Sequence, residues 1–563
     1  MSNVAGKAYG MNVITPIPPS TTWIQRFIFM TARAFPSTLS GLLNLSLIHF
    51  ARWVLIERDQ WPEGDRGKPT LNYDYMLFCS NFNGTWDQYI DAFSDGIPQG
   101  LNLFWYASLK YPLSIPITAF KSYITRNQFH NGYYYNATPG SAQRDIKAAL
   151  KVFAALKSLE SLHRESTAEA FAMAYNKTFA KVQNCLGSPG YAPIASLDTQ
   201  NADIHRAEFL AEPANKVPPA AASGAGKSGR PPRKYKSGNT FDGGHCFLTA
   251  VMPIKTDEVV NSSGMRSSPV HMVRDALATL PTAHQSPATR SVAKDSPFAR
   301  SVKTHFARMA VIDDVIFNGR VATNTITDAI VNLISGKTSW TTPERVDQLP
   351  CPYLMLAIDC DARKEAELRD YLCETWRTMA EDLEPIFSHC FRYSEEATSP
   401  DGFADYVLRC RVETTMPFND YWTTPPPLPS LSLATVAIVA LVAGGLVAAA
   451  LYVLFVRMLD PDHSTLARTA MIIALTLSFV AAGLYAAYRL VMVRGSRPFP
   501  AAPDSDLPSV LKALYLQRAL IWFATVLQGA PPDRLYQAFG AFLETVRPSD
   551  PASPTQAPGN IPI

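Results

Sequence analysis

The chain has 563 residues, with 51 basic and 48 acidic side chains and a net charge of +3. So even a balance leaves no electrostatic footprint for a nucleic-acid partner, and the length allows roughly three to four structural units rather than one core. Eight scattered cysteines without a C-x-x-C pair, several in apolar runs such as Met76-Leu77-Phe78-Cys79, predict buried free thiols in a reducing compartment, not a disulfide or zinc framework.

Met1 to Gly10 is polar, and no apolar run with a small-residue cleavage site follows, so no signal peptide is predicted and the N-terminal domain is expected in the cytoplasm. The apolar stretch Trp23 to Ile56 is interrupted by Arg26, Arg33, Pro36 and Arg52, which fits a buried helix followed by a strand. A first unit is assigned to residues 8–155. It opens on a strand over Asn12–Ile17, reaches Ile48-His49-Phe50-Ala51-Arg52, then a Tyr-led strand Tyr75–Cys79, a helical segment Thr85–Trp105, and Phe120-x-x-Tyr123-x-x-Arg126 with Tyr133, Tyr134 and Tyr135 after it. Residues 156–212 read as a helical extension. Residues 213–242, rich in Pro, Ala, Gly and Ser, read as a flexible linker that cannot bury enough surface to fold. Gly226-Lys227-Ser228 within it lacks the first glycine of a phosphate loop, where Ala221 stands, and no strand precedes it.

A second unit, residues 243–424, repeats the landmarks in the same order. Leu248–Ile254 again ends in Pro-Ile, Thr304-His305-Phe306-Ala307-Arg308 matches the earlier His-Phe-Ala-Arg, Tyr353–Ala357 is the Tyr-led strand, Arg363–Phe387 the helical segment, and Phe403-x-x-Tyr406-x-x-Arg409 the second helix. Several matches in one order predict an internal duplication. Each unit reads strand, helix, strand, strand, helix, strand: the ferredoxin-like order, whose helices cover one sheet face and leave the other for a second sheet. The expected fold class is α+β, two ferredoxin-like repeats forming a pseudo-dimeric α+β barrel.

Residues 430–494 are expected to form a transmembrane helical hairpin. Leu431–Val456 and Thr469–Tyr488 carry no charge, and each reaches the roughly 20 apolar residues needed to cross a bilayer. Gly444, Gly445 and Gly483 suit close helix packing in lipid. Arg489, Arg494, Arg497, Arg409 and Arg411 flank the hairpin, against Arg457 and Arg468 in its loop, which favours both soluble parts inside. Residues 504–547 read as a short helical segment of two amphipathic helices, capped at Ser505 or Asp506, with Pro-rich disorder after it.

The repeated His-Phe-Ala-Arg gives the candidate site residues His49, Arg52, His305 and Arg308, since an imidazole can act as base or ligand and a guanidinium can hold an anion. In a regular strand the His and Arg would face opposite ways, and only a bulge would bring them together. Core packing explains the same residues: a hydrogen-bonded His, and an Arg paired with a carboxylate. Asn81, Asn83 and Thr85, and Asp359 and Asp361 in the second unit, sit at the strand-to-helix turn; two acids there can bind a cation, but the first unit has no equivalent pair, and capping is the expected role. The three tyrosines are expected half-buried with hydroxyls at the surface, though they can also line an apolar pocket. No H-E-x-x-H, G-x-S-x-G or closely spaced histidine pair occurs, so no metal site is expected.

The run His49-Phe50-Ala51-Arg52-Trp53, followed by Leu77 to Phe93 (LFCSNFNGTWDQYIDAF), resembles a group of uncharacterised bacterial membrane proteins related in fold to the dimeric α+β barrel superfamily and, more distantly, to dye-decolourising peroxidases. The resemblance covers about residues 8–155 and 243–422 and carries no established activity. The peroxidases' heme signature G-x-x-D-G is not met: Gly238-Asn239-Thr240-Phe241-Asp242-Gly243 has one residue too many. The expectation is a membrane-anchored binding or interaction protein for an apolar small molecule or lipid, with no cofactor, partnered by the bilayer and by another membrane protein, in a bacterial inner membrane. The peroxidase resemblance implies the alternative, a heme oxidoreductase with His305 or His245 as ligand and Arg308 near peroxide.

Overall fold

The computed structural model describes residues 8–187, 239–260, 264–315, 347–458 and 465–561. The chain is α+β, built on antiparallel sheets and carrying two long apolar helices. Strands β1 (Ala8–Ile17), β2 (Ile48–Ile56), β3 (Asp74–Asn83) and β4 (Gln128–Phe129) form one sheet in the order β2-β3-β1-β4. The next strand, β5 (Tyr133–Asn136), leaves it. In the second sheet β6 (Phe241–Asp242) lies on β7 (His245–Pro253), and β7, β8 (Thr304–Ile312), β9 (Tyr353–Cys360) and β10 (Arg411–Val412) run in the order β8-β9-β7-β10. The strand after that, β11 (Thr414–Asn419), also leaves its sheet. The departures are reciprocal: β5 pairs with β8, and β11 pairs with β2. Each sheet thus ends on a strand supplied by the other half of the chain.

Both sheet faces are covered, which is why β2 and β3 read as near-continuous apolar runs rather than as alternating ones. Alternation still sorts the side chains. Trp53, Leu55 and Phe78 pack under α1 (Thr22–Ala34), α2 (Trp86–Gly96) and α3 (Ile117–Asn127), against Phe29, Tyr89 and Phe120. Val54, Ile56 and Leu77 point the other way and meet Val251, Ala310 and Met355 of the second sheet. A third layer closes one end of the two sheets. It comprises α4 (Gln143–Glu165), α5 (Ala168–Val182) and the two helices that follow the long apolar pair, packed over Phe50, Phe247, Phe306 and Tyr421. The outer face of the second sheet is covered by α6 (Pro269–Thr279), α7 (Glu365–Phe387) and α8 (Pro400–Arg409).

Helices α9 (Leu433–Met458) and α10 (Thr465–Gly495) include segments 433–456 and 468–495 that are long and apolar enough to cross a membrane, with only 6% of each apolar window buried. They pack on each other through glycine: a Cβ on Gly444 would lie 2.6 Å from the Phe479 carbonyl oxygen, and one on Gly483 would lie 2.9 Å from that of Ala440. After them come α11 (Leu507–Val526), capped by the Asp506 carboxylate on the Ser509 N–H, and α12 (Pro532–Val546).

Four expectations need correction. The linker assigned to 213–242 ends before Asn239, whose N–H donates to the Thr414 carbonyl and whose amide donates to that of Thr415, while Phe241–Asp242 forms a strand. Residues 188–238, which hold the rest of that linker and part of the 156–212 extension, lie outside the described residues. Tyr133 and Tyr135 are buried, not half-exposed, because β5 is drawn into the second sheet beneath Phe298. Helix α4 runs unbroken through the boundary set at 155. The Pro-rich tail is tied down: Gly559 donates to the Ala137 carbonyl and accepts from the His284 N–H.

The apolar hairpin is latched to the sheets by one buried cation. Arg33, in the last turn of α1, donates to both carboxylate oxygens of Asp242 (2.7 and 3.2 Å) and to the Gly495 and Arg497 carbonyls, and its guanidinium lies 4.4 Å from the Phe499 ring centroid. Phe499 N–H also donates to Asp242, and Gly495 sits against the backbone of Met30 where no Cβ would fit. Replacing Arg33 by Met leaves the Asp242 carboxylate buried without its cation, a loss of about 3–5 kcal/mol. Thermal unfolding in mild detergent should show Arg33→Met melting well below wild type. An unchanged midpoint would mean that the latch is not a structural joint.

Candidate functional site

The space between the sheets holds a buried polar layer built around both repeated arginines. Arg52 of β2 reaches across to the second sheet, where it pairs with Asp359 and donates to the Leu248 carbonyl and to Thr249 Oγ1 (3.1 Å). Arg308 of β8 reaches back the same way, donating to Asn81 Oδ1, to the Met11 carbonyl (3.0 Å) and to Asn12 Oδ1 (3.0 Å). Asn81 Nδ2 then donates to Asp359 Oδ2 at 2.8 Å, joining the two clusters. Asn81 opposes Gly10 on β1, and Asp359 opposes Phe247 on β7 at the matching step of its sheet. One guanidinium, that of Arg52, therefore meets the carboxylate directly, while Arg308 meets the Asn81 amide that stands in the place of a second acid. Arg52 is engaged on every side, as a packed core arginine would be.

Above this layer the histidines gather. A bulge between Ile48 and Phe50, and another between Thr304 and Phe306, breaks the alternation at both repeated histidines. The first bulge turns the His49 ring away from the face it would share with Ala51 and Trp53 in a regular strand. That ring lies 5.2 Å from Phe306 of the other sheet, and its Nδ1 is 3.1 Å from the Tyr421 hydroxyl. Burial pushes the His49 pKa down to about 3; a hydrogen bond to Asn83 opposes this and His305 reinforces it.

His305 and His245 converge on one acid. His305 Nε2 lies 2.9 Å and His245 Nδ1 3.0 Å from Asp361 Oδ1, just past the end of β9. The other carboxylate oxygen accepts the Leu507 N–H, the first of α11, at 2.7 Å. Asn83 is placed alike, its Oδ1 accepting the Gln143 N–H at the start of α4 (2.9 Å). Capping was the role expected of both residues, and both do cap a helix, but helices that follow much later in the chain. Burial raises the Asp361 pKa, yet the His305 charge and the hydrogen bonds from His245 and His305 outweigh it and hold the carboxyl well below the usual range.

Of the five residues singled out from sequence, Arg52 and Arg308 meet in the polar layer, and His305 and His245 meet at Asp361. His49 stands beside them, near His305 but outside hydrogen-bond contact with Asp361. Sequence reasoning sought histidines close in the chain and so missed this trio, whose members lie on β7, β8 and the end of β9. Its one available signal was the second acid at Asp361 where the first unit has Asn83.

A heme does not fit these residues. An axial imidazole needs an open slot beside it for the porphyrin, but the His245 and His305 rings lie 5.0 Å apart with Phe50 5.2 Å from each, and both histidines are buried. Arg308, the residue expected near peroxide, is wholly committed to Met11, Asn12 and Asn81.

A separate groove opens beside the junction with the hairpin. It is lined by Leu39, Leu43, Phe418, Trp422, Leu428 and Phe499, with Asp242 and Asn419 as its polar members. Asn419 Nδ2 is buried there without a hydrogen-bond partner among the described residues. Comparison with family models, with curated proteins and with solved structures finds no match to this chain.

The buried neutral imidazole of His49 makes stability depend on pH. Below pH 6.5 the unfolded chain takes up a proton that the folded His49 refuses, so stability falls as pH drops from 6.5 toward about 3, by up to about 1.4 kcal/mol per unit. Melting curves between pH 7 and pH 4.5 should show a falling midpoint, with a shallower fall in His49→Gln. Parallel slopes for the two proteins would contradict the assignment.

Proposed function

We propose that this chain is a membrane-anchored binding protein that takes up an apolar molecule, or the acyl part of a lipid, beside the bilayer. Helices α9 and α10 span the membrane as a hairpin. The body is a pair of ferredoxin-like repeats closed into a pseudo-dimeric α+β barrel by the exchanged strands β5 and β11. The matching strand orders and the reciprocal pairings support that reading.

Three features support the membrane setting. The two apolar helices are almost bare, unlike core helices of the same composition. Helix α1 runs along α10, with Phe27 against Tyr488 (5.4 Å), so its N-terminal end lies toward the apolar part of that span. Trp23, Leu103 and Tyr106, on or beside that end of α1, are more than half exposed, as side chains dipping into an interface would be. The bacterial inner membrane, with the body and both flanks on the cytoplasmic side, remains the proposed location; another membrane protein is a further proposed partner.

The observation that carries the binding role is the orphaned Asn419 amide in a groove of mixed polar and apolar lining. A buried donor without an acceptor costs free energy, and a ligand with a carbonyl or carboxylate beside an apolar chain would satisfy it. The groove lies between the stretch leading into α9 and the stretch leaving α10, where a lipid could enter sideways. Photo-crosslinking of the protein in nanodiscs with a diazirine-bearing fatty acid should label peptides around Phe418–Leu428 and Leu39–Leu43, and Asn419→Leu should cut that labelling several-fold. Labelling confined to α9 and α10 in both proteins would refute the groove as a ligand site.

A further inference from the structure

The trio His245, His305 and Asp361 belongs neither to the groove nor to the arginine layer. One nitrogen of each imidazole and one carboxylate oxygen lie within 4.8 Å of one another, with two of the three edges at 2.9 and 3.0 Å. An ion bound at about 2.0–2.1 Å to tetrahedrally placed ligands needs edges of roughly 3.3 Å, within a small side-chain shift of these. We propose that His245, His305 and Asp361 bind a divalent transition cation of the zinc class, which fastens the segment after the anchor to the second sheet.

Four observations carry this. Imidazole nitrogen and carboxylate oxygen form a donor set that suits zinc-class ions. Both histidines are almost wholly buried, at 1% and 2% exposure, so the rings are fixed before an ion arrives. His245 Nε2 has no hydrogen-bond partner among the described residues, so Asp361 is the polar group that holds that buried ring. Asp361 is oriented by an outer partner, the Leu507 N–H on its second oxygen, the kind of support that holds a ligating carboxylate in place.

The other sheet supplies an internal comparison. At the matching positions it has Ala8, His49 and Asn83: one histidine is kept, while the second histidine and the acid are both missing. Loss of two members together is what a ligand set would undergo when one copy gave up its ion. The helix-start contact survives without the charge, since the Asn83 amide oxygen accepts from Gln143 as Asp361 accepts from Leu507. Asp361→Asn should therefore fold, retaining that contact while losing the anionic ligand.

The site joins β7, β8 and the exit of β9 to the N-terminus of α11, the first helix after α10. The full chain should be purified in mild detergent, stripped with chelator, dialysed against zinc or cobalt(II), passed through gel filtration, and assayed for metal per chain. We expect close to one ion retained per wild-type chain, visible cobalt absorption from a low-coordinate site, and a higher melting midpoint with zinc. Asp361→Asn and His245→Phe should drop to near background, with near-UV circular dichroism reporting their folding, and His49→Gln should keep its ion. Folded wild type that retains no ion, or retention undiminished in folded Asp361→Asn and His245→Phe, would overturn the proposal. Loss of lipid labelling at the groove would leave these readouts untouched, so the two readings fail separately.

Discussion

Apolar surface held in water is the constraint on which the rest of this structure turns. The strands of the two sheets are almost entirely buried, whereas the two long apolar helices are mostly exposed, with only 6% of each apolar window buried. At roughly 25 cal/mol per Å² of apolar surface, removing such helices from water is favourable. A body hung on them must be joined firmly, and the joint is Arg33. Its charge is buried, so its hydrogen bonds must all be made, and they are made to Asp242 beside the second sheet and to the backbone leaving α10. One side chain thereby links a helix of the first sheet, a strand of the second and the end of the hairpin.

Within the body a comparable logic governs the space between the sheets. Arg52 and Arg308 each cross from one sheet to the other, and each is met by a backbone carbonyl and by side chains on the facing strands. Polar pairs of this kind fix which residues face each other more sharply than apolar contacts do, because a shifted register would strand a buried charge. Asp359 pairs with Arg52 alone, and Arg308 is met by a carbonyl and by the amide oxygens of Asn12 and Asn81, while the Asn81 amide nitrogen donates on to Asp359. The same divergence appears one layer higher, where Asp361 has Asn83 as its counterpart. The two sheets are built alike and charged differently.

Much of the framework was legible in the residues. The apolar runs of α9 and α10, the order of strands and helices in each half, and the paired His-Phe-Ala-Arg segments all follow from local composition and period. What was hidden depended on contacts between distant parts. The bulges at His49 and His305 leave no mark in composition, yet they decide which way an imidazole points. Tyr133 and Tyr135 read as half-buried, with hydroxyls at the surface, because nothing near them in sequence announces that β5 pairs with β8. Asp361 read as a cap for the helix that follows it, whereas it caps α11, nearly 150 residues on, and holds two histidines from two other strands. The Pro-rich tail looked unable to fold, and it is held by partners at Ala137 and His284 that no local pattern names.

The placement of α9 and α10 in a bilayer is tested most directly by fractionation of cells expressing the full chain. The account predicts that the protein sediments with membranes, stays there through an alkaline carbonate wash, and enters solution only with detergent. A monodisperse protein that remains in the high-speed supernatant without detergent would contradict it.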